Sequence, residues 1–147
     1  MEITVRSEAV KLFNETWDLI DLKERTREEN AAMLHKAHTS RYLWGLIGEP
    51  KNFARGEWQV SRVYALLNMA EAALLHGEIS LKIAIENNLE GLDLAFGYEA
   101  VARAKAILGD ISGARENKAK GLEEAAKLEK EGDRKYTEGE LNGINCG

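Results

Sequence analysis

The chain has 147 residues, and 20 lysines and arginines face 25 aspartates and glutamates, so its formal net charge is −5 at pH 7. Hydrophobic residues make up 44% of the chain, which argues against disorder, and the mild acidity argues against a nucleic-acid-binding surface. The single cysteine, Cys146, excludes an internal disulfide and a multi-cysteine zinc site.

The composition favours an all-α protein. Alanine, leucine, glutamate and lysine are strong helix formers, Pro50 is the only proline, and alternating strand patterns are missing. Residues 1–6 lack the basic start and apolar stretch of a signal peptide, and the most apolar stretch, residues 65–75, is far shorter than the ~20 residues that span a bilayer. We therefore expect a cytoplasmic protein without a membrane partner.

Apolar spacing and stop signals predict six helices in one helical repeat domain, residues 1–141, followed by a frayed tail, residues 142–147. Thr26 and Glu29 form a capping box before the second helix, and Gly48 and Pro50 end it. Glycines at 77, 91 and 109 are expected to separate the later helices. The predicted ranges are Thr4–Leu22, Arg27–Ile47, Ala54–His76, Ile79–Leu89, Asp93–Leu108 and Ile111–Glu131.

A short internal repeat supports a stack of helical hairpins. The segment Gly77–Ser80 recurs thirty-two residues later as Gly109–Ser112, and short connections make consecutive helices antiparallel neighbours. Two helices with a period near 34 residues are typical of tetratricopeptide repeats. The chain resembles a tetratricopeptide-repeat-like (TPR-like) protein over about Lys36 to Leu128, which implies a short right-handed solenoid of about six helices.

A second resemblance is to a little-characterised bacterial group of such helical proteins, over residues 38–104. It implies no activity that transfers to this chain. The residues that carry it are His38, Ser40-Arg41, Trp44, Gly56-Glu57-Trp58-Gln59, Ser61-Arg62-Val63-Tyr64, Asp93-Leu94-Ala95 and Tyr98-Glu99-Ala100.

Charged and aromatic residues of the middle helices form the predicted ligand site. Glu99 and Arg103 are four residues apart on one helix, and in a TPR-like register both face the concave side. Such a wall suits an extended peptide or a small polar ligand, and the alternative is a surface ion pair with little effect on stability. The candidate ligand-binding residues are Tyr64, Glu71, Phe96, Glu99, Arg103, Arg41, Glu57 and Arg62.

The start of the third helix combines a core residue with charged ones. Trp58 is expected to pack in the core and to need an acceptor for its indole N–H. Glu57 and Arg62 are five apart and pair poorly on one helix, so each is expected to reach Arg41, Asp93 or Arg103 on a neighbouring helix, or to mark a site.

His35 and His38 suggest a metal site, because imidazoles three apart on a helix can share a metal with a carboxylate such as Glu57 or Glu99. The alternative is that one histidine packs between helices while the other faces water. No cofactor is predicted, since glycine-rich phosphate loops and nucleophile motifs are missing.

Three functions remain open from the sequence. The first is a non-catalytic binding or scaffold module with a protein or peptide partner. The second is a small metal-dependent or acid–base enzyme that uses the histidines and carboxylates named above. The third is a structural homodimer closed by Phe13 and Trp17 of the first helix.

Overall fold

The computed structural model describes residues 3–147 and confirms the all-α prediction. These residues form helices without any strand, and no helix among them is long and apolar enough to cross a membrane. Seven helices lie in the described range, one more than the sequence predicted. Their bounds are α1 Val5–Ile20, α2 Arg27–Ile47, α3 Pro50–Leu66, α4 Ala70–Glu86, α5 Leu92–Leu108, α6 Ile111–Ala126 and α7 Glu131–Asn142.

Local capping sets where α2 and α3 begin. Thr26 and Glu29 form the predicted capping box, since Thr26 Oγ1 accepts from the Glu29 amide at 3.1 Å and the Thr26 amide donates to Glu29 Oε1 at 2.8 Å. The predicted bounds of α2 are therefore confirmed. Pro50 stands at the start of α3, where its missing N–H costs little, so α3 begins four residues earlier than expected.

Asparagines end two of the helices where the sequence analysis expected glycines. Asn68 and Asn88 adopt left-handed φ angles of 59° and 53° after α3 and α4. The Met69 amide then donates to Tyr64 O at 2.9 Å, which closes the last turn of α3. The predicted continuous helix from residue 54 to 76 is therefore wrong, because asparagine tolerates the left-handed conformation that glycine usually supplies.

Gly77 lies inside α4 and does not break the chain, whereas Gly109 ends α5 at a φ of 86°. A Cβ at residue 77 would lie 3.2 Å from the carbonyl carbon of Ala100 on α5. Gly77 therefore permits close helix packing, and the segment match between Gly77 and Gly109 is not a structural repeat. The predicted last helix, 111–131, is also divided, at residues 127–130, into α6 and α7.

Burial repeats with a longer period than the sequence match suggested. Each buried position of α2 has a buried counterpart forty residues later in α4, and the α3 pattern recurs forty-one residues later in α5. The spacing exceeds the 34 residues of a tetratricopeptide repeat. The buried residues are Met33, Ala37, Ser40 and Trp44 in α2, and Ala73, Gly77, Ser80 and Ala84 in α4.

Helix contacts follow chain order. Each helix packs against the next, and the odd-numbered helices also contact each other, α1 with α3, α3 with α5 and α5 with α7. One core cluster lies around Met33 and Val60, and a second around Ala102 and Leu141. The odd-numbered helices therefore form a continuous layer.

The C-terminal segment packs onto the second core cluster, whereas the sequence analysis expected it to fray. Helix α7 continues through Asn142, Ile144 is 5% exposed, and Arg115 Nε donates to the Cys146 carbonyl at 3.0 Å. The segment is short and glycine-rich, but its one large apolar side chain reaches the core between α5 and α6.

We expect Gly97→Ala to destabilise the protein by about 1–3 kcal/mol, because the new Cβ would lie 2.9 Å from Leu81 Cα of α4. Gly139→Ala is the matched control, since it lies in α7 with nothing within 4 Å and should add up to about 1 kcal/mol through helix propensity. Urea unfolding of both variants measures the difference. Equal effects would contradict the close α4–α5 packing.

Candidate functional site

One aromatic side chain from each odd-numbered helix forms a row, which we call the aromatic row. Its members are Trp17, Trp58, Phe96 and Tyr136, with successive ring centroids 5.2, 4.6 and 6.4 Å apart. Trp58 is 6% exposed, so its predicted core role is confirmed. Of the two residues proposed to close a dimer, Trp17 contacts Trp58 of α3 and Phe13 contacts Trp17 on the same helix, with ring centroids 6.4 Å apart.

Beside the aromatic row lie two arginines and two glutamates, the arginine–glutamate cluster. Arg103 donates to Glu99 Oε1 through Nε at 3.1 Å and Nη2 at 2.9 Å, and Trp58 Nε1 lies 3.3 Å from Glu99 Oε2. Arg62 Nη2 donates to Glu140 Oε2 at 2.6 Å, and Arg103 Nη2 is 3.5 Å from the same oxygen. The cluster joins α3, α5 and α7 with balanced charge.

Glu99 is 1% exposed, so the pair with Arg103 is not the simple surface pair that the sequence left open. Its carboxylate accepts hydrogen bonds from Arg103 on the same helix and Trp58 on α3. The acceptor that the Trp58 indole was expected to need is therefore Glu99. This carboxylate supports the fold, and any ligand would meet the arginines rather than Glu99.

A cavity of about 320 Å³ opens beside the arginine–glutamate cluster, between the ends of α3 and α5 and the segment after α7. Arg62 and Arg103 are its charged residues. Arg62 Nε is buried and has no hydrogen-bond partner in the described part of the chain. The cavity is lined by Arg62, Ala65, Leu66, Arg103, Ala106, Ile107, Gly143, Ile144 and Asn145.

A second group of polar side chains lies where α2, α3 and α4 meet, the histidine–tyrosine cluster. His38 Nε2 and the Tyr64 hydroxyl share a hydrogen bond of 2.8 Å, and the Tyr64 and His76 rings stack with centroids 5.5 Å apart. Glu57 accepts from His76 Nδ1 at 2.7 Å and from Arg41 Nε at 2.6 Å. These contacts fill the space between α2 and α4.

Glu57 stays ionised inside the histidine–tyrosine cluster. Burial alone would raise its pKa, but the hydrogen bonds and charges of His76 and Arg41 outweigh burial and lower the pKa below its ordinary 4.5. Of the three residues expected near Glu57, Arg41 is the one that pairs with it, while Asp93 pairs with Arg55 at 2.7 Å and Arg103 pairs with Glu99.

The two histidines of the predicted metal site separate. His35 is exposed, whereas His38 is half-buried against Tyr64 and His76, as the alternative interpretation expected. No three histidine, cysteine or acidic side chains in residues 3–147 are arranged to hold a metal ion. Glu57 and Glu99, the proposed carboxylate ligands, are paired with other side chains.

The eight candidate ligand residues fall into three places. Arg41, Glu57 and Tyr64 belong to the histidine–tyrosine cluster. The second group, Arg62, Phe96, Glu99 and Arg103, lies in the aromatic row and the arginine–glutamate cluster. Glu71 is exposed on α4 and belongs to neither cluster.

Sequence reasoning missed Glu140 and His76 as members of these clusters. Glu140 stands in a run of mixed charges that was interpreted as a solvated face, and only the return of α7 onto α5 brings it to Arg62. Trp17 and Trp58 are forty-one residues apart, and so are Arg62 and Arg103. This spacing indicates the true helix-pair repeat, but the thirty-two-residue match of Gly77 and Gly109 drew attention away from it.

We expect the free energy of unfolding to fall as the pH drops from about 7.5 to about 5.5. Burial, and then the positive charges of His76 and His35, lower the pKa of His38 below 6.5, although Glu57 opposes this. The unfolded chain therefore binds this proton more tightly, and acid favours unfolding. Urea unfolding at several pH values gives the change of the free energy of unfolding with pH. This change should be smaller in His38→Gln than in the wild type and unaltered in the exposed control His35→Gln. The same pH dependence in both variants would contradict the assignment to His38.

Glu99→Ala should destabilise the protein by about 1–3 kcal/mol, because Trp58 Nε1 and Arg103 lose their buried acceptor. The control Glu71→Ala, exposed on α4, should stay within about 0.5 kcal/mol of wild type. Urea unfolding measures both variants. A neutral Glu99→Ala would show that the carboxylate does not support the fold.

Comparison with protein-family models, with curated proteins and with solved structures found no match for this chain. The function therefore has to be inferred from the geometry of the clusters themselves. The cavity beside Arg62 and Arg103 combines charged donors with apolar walls.

Proposed function

We propose that this chain is a non-catalytic binding module of TPR-like stacked helical hairpins, with a peptide or a small polar molecule bound on the face of the odd-numbered helices. The contacts of consecutive helices and of α1, α3, α5 and α7 with each other support a layered arrangement. Such layers make broad contact surfaces. The likeness to tetratricopeptide repeats concerns this layering, since the helix pair here is about forty-one residues long.

The observation that carries the proposal is the position of Arg62 and Arg103. They stand forty-one residues apart on α3 and α5 and meet at one cavity of about 320 Å³. Two guanidinium groups beside apolar walls match ligands that combine an acidic or polar group with an apolar part. Arg62 also has a buried N–H that finds no acceptor among the described residues, and a ligand can supply one.

The other functions have less support from the described residues. An acid–base enzyme would use the histidine–tyrosine cluster, where Glu57 is already occupied by His76 and Arg41. A metal-dependent enzyme lacks a ligand group in residues 3–147. A homodimer through α1 would have to use Phe13 and Trp17, and Trp17 already contacts Trp58 within the chain.

Thermal unfolding with a panel of free amino acids, short peptides and organic acids tests the proposal. We expect members of the panel to raise the Tm of the wild type, since a ligand that binds only the native state stabilises it. The shift should fall in Arg62→Lys, because lysine keeps the charge but loses the two-pronged geometry.

The exposed Arg27→Lys at the start of α2 is the matched control and should keep every shift. A panel that leaves the wild-type Tm unchanged would overturn the proposal. Shifts that are equal in wild type and Arg62→Lys would place binding elsewhere and overturn the assigned face.

A further inference from the structure

We propose that the cavity beside Arg62 and Arg103 binds a small aliphatic carboxylate through Arg62. Glu140 of the same chain competes with this ligand for Arg62. This inference rests on the proposed binding function and names the ligand class of that face. The carboxylate of the ligand pairs with Arg62, its aliphatic part packs against the apolar walls, and Glu140 stays paired with Arg103.

The size and lining of the cavity select a small molecule with an apolar part. Its volume of about 320 Å³ is at the lower end of the roughly 300–1,000 Å³ of ligand pockets. Leu66 and Ile107 are 41% and 38% exposed at the rim, although both are large apolar side chains. Together with Ala65, Ala106 and Ile144 they offer an aliphatic chain a continuous apolar wall.

The unused hydrogen-bonding capacity of Arg62 selects a carboxylate. Its side chain is 11% exposed, Nη2 donates to Glu140, and Nε donates to nothing in the described residues. Nε and Nη2 lie side by side on a guanidinium, and a carboxylate can accept from both at once. A ligand carboxylate would satisfy the buried Nε–H that Glu140 leaves without an acceptor.

Glu140 can leave Arg62 and still keep one charged partner, Arg103. The side chain of Glu140 is 28% exposed, and the oxygen that accepts from Arg62 is also 3.5 Å from Arg103 Nη2. When a ligand takes Arg62, Glu140 can move toward Arg103 and water. Because the carboxylates of the ligand and of Glu140 compete for the guanidinium of Arg62, removing the charge of Glu140 should strengthen ligand binding.

Isothermal titration with sodium octanoate tests the inference, with octylamine and acetate as probes of charge and of chain length. We expect octanoate to bind the wild type, octylamine not to bind, and acetate to bind at least about tenfold more weakly. Arg62→Lys should weaken octanoate binding about tenfold. Failure of octanoate to bind, or equal binding of octylamine, would overturn the inference.

The competitor role has its own variants. Glu140→Gln should raise the affinity for octanoate about threefold, since glutamine keeps an acceptor but not the competing charge. Glu138→Gln, two residues earlier on α7, is the matched control and should not change it. Urea unfolding checks that each variant folds. A weaker or unchanged affinity in folded Glu140→Gln would overturn the competitor role.

The source of the carboxylate is distinguished by a short peptide with leucine as its last residue, compared with the same peptide amidated. Binding of the free peptide alone, more tightly than octanoate, identifies a chain terminus as the source, whereas preference for octanoate identifies a free acid. If ligands of the panel bind in a way that depends on Arg62 but octanoate does not bind, this inference is rejected and the proposed function stands. No binding of any probe would reject both.

Discussion

The structure depends on the close approach of neighbouring helices through small residues at recurring positions. Ser40 of α2 donates to the Ala9 carbonyl of α1 at 2.7 Å, and forty residues later Ser80 of α4 donates to the Ala54 carbonyl of α3 at 2.8 Å. A larger apolar side chain at either position would push the two helices apart, and the carbonyl would lose the hydrogen bond from the serine hydroxyl. Gly77 lies one turn before Ser80 and lets α4 contact α5 closely.

This close packing brings charged side chains of different helices into contact. Because the odd-numbered helices lie side by side, Glu99 of α5 accepts a hydrogen bond from Trp58 of α3, and Glu140 of α7 accepts one from Arg62 of α3. Burying an unpaired ion costs on the order of several kcal/mol, and the pairing of these side chains offsets that cost. Within residues 3–147, this packing leaves Arg62 Nε buried without a hydrogen-bond partner.

The two polar clusters differ in what they leave open. In the histidine–tyrosine cluster, rings and carboxylate satisfy one another, and Arg41 covers the Phe53 ring at 4.9 Å. In the arginine–glutamate cluster, the segment after α7 stops short of closing the space between α3 and α5. The cavity beside Arg62 is therefore open to a ligand, whereas the side chains of the histidine–tyrosine cluster bind one another.

Local signals in the sequence determined the helical class, the bounds of α2 and the burial of Trp58, because caps and apolar periodicity act within a few residues. The turn at Asn68 was missed, since asparagine carries a weaker local signal than glycine. Only the tertiary structure decided that Gly77 packs inside a helix and that Glu140 reaches Arg62. Those contacts depend on the register between helices distant in sequence, which the packing of many side chains sets together.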